Sequence, residues 1–151
     1  MNIIFVCTGN TCRSAMAQYL FKKMLKEEKR EDVQVYSCGI YADSGEMATY
    51  SAIEVMKEYD IDMRDHRATN INEIDINKMD LILCATVSHK QLVLNMHPEL
   101  DGKVYTIKEY AEIGKEGQGM DIRDPWGYSI DTYIDCAKEI KECLDKILQK
   151  I

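Results

Sequence analysis

The sequence predicts an α/β fold, a small doubly wound domain with a four-stranded parallel sheet flanked by helices on both faces. Three observations carry that expectation. Short apolar runs of strand length alternate with longer stretches of helical periodicity. Such alternation implies right-handed crossovers and therefore parallel pairing. The 151 residues fit one domain spanning 1–151, with enough chain to bury a core.

The first strand is expected from Asn2 to Val6, where Ile3-Ile4-Phe5-Val6 reads as a core strand. A helix follows from Ser14 to Glu28, with Met16, Ala17, Leu20, Phe21, Met24 and Leu25 at the i, i+3, i+4 spacing of a one-sided helix. The second strand runs from Val33 to Ser37 and the next helix from Thr49 to Tyr59. A third strand, Asp80 to Cys84, precedes a helix from Val87 to Met96 that stops just before Pro98. The last strand covers Lys103 to Thr106. The final helix runs from about Ser129 to the end, with Ile130, Ile134, Ala137, Ile140, Leu144, Ile147 and Leu148 on one stripe.

Composition narrows the function. A hydrophobic share of 46% and a charged share of 30% are ordinary for a globular protein. The formal net charge of −7 disfavours non-specific nucleic-acid binding, which needs a basic footprint. No apolar run approaches the roughly 20 residues of a membrane span. No positive segment precedes the first apolar stretch, as a signal peptide would require. The expectation is a cytoplasmic monomer without membrane or nucleic-acid partners. Of the six cysteines, Cys38, Cys84 and Cys136 read as small core residues, and Cys143 fits either core or surface. No second cysteine pair or His-x-x-His partner appears at zinc spacing, so no metal is expected.

Cys7 and Cys12 differ because they share the loop Val6-Cys7-Thr8-Gly9-Asn10-Thr11-Cys12-Arg13-Ser14. This loop leaves the carboxyl end of the first strand, where ligands bind in doubly wound folds. A strand-to-helix loop of small and polar residues can wrap a tetrahedral oxyanion with inward N–H groups and a helix N-terminus beneath. Thr8, Gly9, Asn10, Thr11, Cys12, Arg13 and Ser14 are the expected phosphate-binding residues. Gly9 permits a positive φ and close backbone approach. Arg13 offers a planar fork of donors to two phosphoryl oxygens. Cys7 at the loop floor makes the anion site a nucleophile site, because the N–H groups, the helix terminus and Arg13 all favour negative charge on sulfur. Ser14 either donates a hydrogen bond to that sulfur or caps the helix.

With the later Asp124-Pro125-Trp126-Gly127, the Cys-x5-Arg-Ser loop resembles the low-molecular-weight protein tyrosine phosphatase family. The resemblance implies that Cys7 attacks phosphorus in line and forms a cysteinyl-phosphate, while Arg13 and the loop N–H groups hold the equatorial oxygens. Asp124 matches the family's general acid, a contribution typically worth about 10²–10⁴-fold. Pro125 would fix the turn that aims it. No metal or organic cofactor is implied. Asp65-His66-Arg67-Ala68 resembles a family segment whose histidine supports the loop through its asparagine. That makes Asn10, Ser14, Ser37 and His66 supporting residues, the alternative for His66 being a surface-loop histidine. His89 and His97 show no partner pattern and read as structural or solvated.

Thr11 and Trp126 bear on the substrate. Tyrosine-directed members carry a bulky aliphatic residue where this chain has Thr11, and two aromatics after their Asp-Pro. Here Trp126 is followed by Gly127. A guanidinium tolerates the threonine hydroxyl and can stack on the Trp126 face. The combination resembles the family's bacterial protein arginine phosphatases, which implies phosphoarginine in proteins as substrate. If Thr11 is neutral variation, the chain is a tyrosine phosphatase. A thioredoxin-coupled arsenate reductase would need a resolving cysteine pair, and Cys84-Ala85-Thr86-Val87-Ser88-His89-Lys90-Gln91 has no second cysteine. Under oxidant, Cys7 and Cys12 could close a protective disulfide. Otherwise Cys12 only fills space behind the loop.

Overall fold

The computed structural model describes residues 1–114 and 119–151. Four parallel strands, β1 (Asn2–Cys7), β2 (Gln34–Gly39), β3 (Leu81–Cys84) and β4 (Val104–Thr106), form one sheet in the order β2-β1-β3-β4. The chain moves from β1 to β2 on one side and then crosses to β3 on the other, so the topological switch lies between β1 and β3. Cys7 ends β1 at that switch.

Successive side chains of a strand point to opposite faces. Ile3 and Phe5 join one core with Met16, Leu20, Phe21, Ile140 and Leu144. Their partners come from α1 (Arg13–Glu27) and α5 (Ile130–Leu148). Ile4 and Val6 join a second core with Ile82, Val93 and Leu100, on the side of α3 (Val87–Met96). Both faces of β1 are therefore dry, which explains its unbroken apolar run. Phe5 and Phe21 meet edge to face, with centroids 5.9 Å apart.

Each expected element is present; α3 keeps the expected bounds and the others shift at their ends. β2 extends two residues past Ser37, because Cys38 and Gly39 pair with Val6 and Cys7. The second helix, α2 (Tyr50–Lys57), stops two residues short of Tyr59, and its cap Thr49 accepts from the Ala52 N–H at 3.3 Å. A short helix, α4 (Ile107–Tyr110), had no counterpart in the sequence reading. A reciprocal capping box holds it: Thr106 Oγ1 accepts from the Glu109 N–H at 2.9 Å, and the Glu109 carboxylate accepts from the Thr106 N–H at 3.2 Å. Cys38, Cys84, Cys136 and Cys143 are all buried, which settles Cys143 as a core residue. Burial pushes the Cys136 and Cys143 thiols up to about 12.

Among the described residues, no helix is long and apolar enough to cross a membrane, and no group of His, Cys, Asp and Glu could hold a metal ion.

Candidate active site

Residues 7–13 turn from the end of β1 into α1 and line a cavity of about 280 Å³ with Glu46, Asp124 and Trp126. The residue in the left-handed region is Asn10, at φ 57°, and not Gly9 as the sequence suggested. Asparagine tolerates this conformation because its short side chain hydrogen-bonds locally. Asn10 Nδ2 donates to Ser14 Oγ at 2.8 Å and to Ser37 Oγ at 2.9 Å, while its Oδ1 accepts from the Thr69 N–H at 3.0 Å. The Asn10 N–H points at Cys7 Sγ, 3.3 Å away. One residue thus bends the loop, aims a donor at the sulfur and ties the turn to β2.

His66 closes the network. Its Nε2 lies 2.8 Å from the Asn10 carbonyl, which only accepts, so Nε2 carries the proton. The ring is buried rather than on a surface loop, and burial lowers its pKa. Ser37 passes the chain onward by donating to Gln18 Oε1 at 2.6 Å. Gln18 carried no signal in the sequence beyond its place on α1.

Ser14 does not cap the helix. α1 begins at Arg13, and Ser14 Oγ sits 2.8 Å from Cys7 Sγ. Oγ accepts from Asn10 Nδ2, and its own proton faces two acceptors, the sulfur at 2.8 Å and the Cys38 carbonyl at 3.4 Å, of which the sulfur is the nearer. Two donors therefore converge on Cys7, which is 2% exposed.

Arg13 is 4% exposed and held at its tip. Nη1 donates to the Ile122 carbonyl at 2.9 Å, and Nη2 lies 3.6 Å from Asp124 Oδ2. The Ile122 N–H donates in turn to the Ala85 carbonyl at 2.8 Å, which anchors this segment beyond β3. Asp124 Oδ1 accepts from the Trp126 N–H at 3.1 Å. The turn continues with the Tyr128 N–H donating to the Pro125 carbonyl at 3.0 Å, and with Gly127 at φ 81°, where glycine is needed. Asp124 is thus brought beside the loop from far along the sequence, with its side chain 53% exposed at the cavity mouth.

Thr11 is nearly buried in the cavity wall, and Trp126 is 66% exposed at its rim. Cys12 Sγ contacts Thr49 Oγ1 and Tyr133 Oη, both at 3.4 Å, and burial raises its thiol pKa.

Two further contributors went unseen in the sequence. A Cβ on Gly39 would stand 2.5 Å from the Thr8 carbonyl oxygen and 2.9 Å from the Asn10 nitrogen. Gly39→Ala must push the loop outward. It is expected to cost about 1–3 kcal/mol of stability and roughly tenfold in kcat/KM, read by thermal melting and steady-state kinetics. The second is His89, which has a partner after all: Nε2 lies 2.8 Å from Thr8 Oγ1. Its Nδ1 is buried and has no partner among the described residues.

Burial, with Arg13 nearby, lowers the His89 pKa from 6.5 to about 4. The unfolded chain binds a proton near pH 6.5 and the folded chain only near 4, so protons favour unfolding between those values. Stability is expected to be complete above about pH 6.5 and to fall on acidification towards 4, by about 3 kcal/mol. His89→Gln should flatten that slope in melts across the range, and an unchanged slope would contradict it.

A family model described as low molecular weight phosphotyrosine protein phosphatase matches residues 2–151. The protein-arginine-phosphatase of Bacillus subtilis (strain 168) is 38% identical over 151 residues, covering 100% of this chain and 97% of that protein. The low molecular weight protein-tyrosine-phosphatase PtpB of Staphylococcus haemolyticus is 36% identical, covering 97% of each. Among solved structures, a C7S mutant of YwlE arginine phosphatase with a phosphorylated active-site serine superimposes with a TM-score of 0.90 at 37% identity, covering 99% of this chain and 95% of that one. The low molecular weight protein tyrosine phosphatase from T. tengcongensis gives 0.91 at 39% identity, covering 100% and 99%. Cavity, fold and full-length matches agree: the chain belongs to the low molecular weight phosphotyrosine protein phosphatase family, whose members are cysteine-dependent protein phosphatases.

Proposed function

We propose that the chain hydrolyses phosphoarginine in proteins through a cysteinyl-phosphate on Cys7. The observation that carries the reading is Thr11 in the cavity wall with Trp126 at the rim. A hydroxyl and an open indole face suit a flat polar cation better than a phenyl ring, and cation–π contact favours it. The arginine phosphatase at 38% identity supports the same choice.

In the first step Cys7 Sγ attacks phosphorus and an S–P bond forms. The P–N bond breaks, its electron pair goes to the guanidino nitrogen, and Asp124 delivers the proton that nitrogen takes. Arg13 turns from the Ile122 carbonyl to two phosphoryl oxygens, and the loop N–H groups hold the charge that builds on them. In the second step Asp124 takes a proton from water as the water oxygen bonds to phosphorus. The S–P bond breaks, inorganic phosphate leaves, and the sulfur regains the donors Ser14 Oγ and Asn10 N–H. The solved relative with a phosphorylated serine at its nucleophile position supports phosphoryl transfer to the Cys7 position.

Tyrosine dephosphorylation is the second reading, favoured by the tyrosine phosphatases at 36% and 39% identity. Matched phosphoarginine and phosphotyrosine peptides decide between them. A higher kcat/KM on phosphoarginine is expected. Thr11→Ile should shift the ratio towards phosphotyrosine by about tenfold or more, as a steric change in a tight pocket does. An unchanged ratio removes Thr11 from the account.

A further inference from the structure

Among the described residues lining the cavity, Glu46 is the charged side chain that the proposed mechanism does not use. It sits on an exposed turn between β2 and α2, far from the loop in sequence. Backbone bonds hold the turn. The Glu46 N–H donates to the Asp43 carbonyl at 3.1 Å, the Glu46 carbonyl accepts from the Ala68 N–H at 2.7 Å, and the Gly45 N–H donates to the Ala68 carbonyl at 2.9 Å. Met47 bridges to Arg67 in the next residue pair. The Glu46 carboxylate makes no hydrogen bond or ion pair with another described residue. The nearby Arg67 guanidinium is engaged elsewhere, donating to the carbonyls of Arg64 at 3.0 Å and His66 at 2.8 Å.

This placement is costly for an anion site. Among the described lining residues, Arg13 is the one cation, and Asp124 already faces it at 3.6 Å. A second, unneutralised carboxylate repels a dianionic phosphoryl group unless the rest of the substrate is positive. Phosphoarginine meets that condition, because its guanidinium is bonded directly to phosphorus through nitrogen. Carboxylates also pair with guanidinium in a planar two-point geometry. Phosphotyrosine offers a neutral ring at the same place.

We infer that Glu46 selects the substrate by charge, pairing with the guanidinium of phosphoarginine and repelling phosphotyrosine. The inference rests on the phosphoarginine reading above and adds a residue that acts by sign rather than by shape. Every hydrogen bond that Glu46 makes is a backbone bond, so Glu46→Gln leaves the turn intact.

The test is kcat/KM for Glu46→Gln and Glu46→Lys on phosphoarginine and phosphotyrosine peptides of one neutral sequence. Phosphoarginine turnover is expected to fall and phosphotyrosine turnover to rise, lowering their ratio about tenfold for Gln and further for Lys. Inhibition by guanidinomethylphosphonate and benzylphosphonate should weaken and strengthen in the same order, and higher salt should shrink both effects. A wild-type chain that turns over only phosphotyrosine overturns the phosphoarginine reading, and the inhibitor pair then judges Glu46 separately. The Glu46 assignment falls if substrate and inhibitor ratios in the variants equal those of wild type.

Discussion

Replacing Cys7 by serine is expected to lower kcat by about 10⁴-fold or more while leaving phosphate binding largely intact, as loss of a catalytic nucleophile does. The reason lies in what surrounds the sulfur. Ser14 Oγ at 2.8 Å and the Asn10 N–H at 3.3 Å are donors, placed to stabilise a negative charge. Neither is a base that could take a proton from a serine hydroxyl. A thiolate needs no such base at the moment of attack, whereas an alcohol does. The N–H groups and Arg13 that grip phosphate are untouched by the change, so the inhibition constant for inorganic phosphate should move little. Steady-state kinetics with phosphate as competitive inhibitor reads both effects. A serine variant retaining a tenth of wild-type activity would remove Cys7 from the reaction.

Asp124→Asn should cost about 10²–10³-fold in kcat on phosphoarginine, within the usual range for a lost general acid. The asparagine carbonyl can still accept from the Trp126 N–H, so the turn Pro125–Tyr128 keeps its shape and the loss isolates proton transfer. The size of the loss should depend on the leaving group. Nitrophenolate departs without a proton, so p-nitrophenyl phosphate should suffer much less than a guanidine or an unactivated phenol. Equal losses on all three would mean that Asp124 positions Arg13, its neighbour at 3.6 Å, rather than supplying a proton.

What the chain spells out and what it hides follow from range. The apolar run into Cys-x5-Arg is local, and it placed β1, the loop and the start of α1 within a residue of where they lie. The left-handed residue was misassigned because glycine is the usual occupant of that conformation. Asn10 takes it instead, since its side chain finds Ser14, Ser37 and the Thr69 N–H. α4 is too short to show a period, although Thr106 and Glu109 spell its capping box three residues apart. Gly39 and His89 touch the loop only after β2 and α3 have packed against β1, so nothing in their own neighbourhoods announces them. Asp124 was legible only through family resemblance. Its pairing with Arg13 depends on the Ile122–Ala85 bond that anchors the segment to the end of β3. Glu46 belongs to the same class, an ordinary surface turn residue until the fold sets it in the wall of the cavity that Cys7 also lines.

The central claim joins a nucleophile to a substrate, and one measurement addresses both. A single turnover of the wild-type chain with a phosphoarginine peptide, quenched rapidly and mapped by mass spectrometry, should find one phosphoryl group on Cys7. It should form faster than from the matched phosphotyrosine peptide. Phosphoryl transfer to any other residue, or faster labelling from phosphotyrosine, would contradict the account.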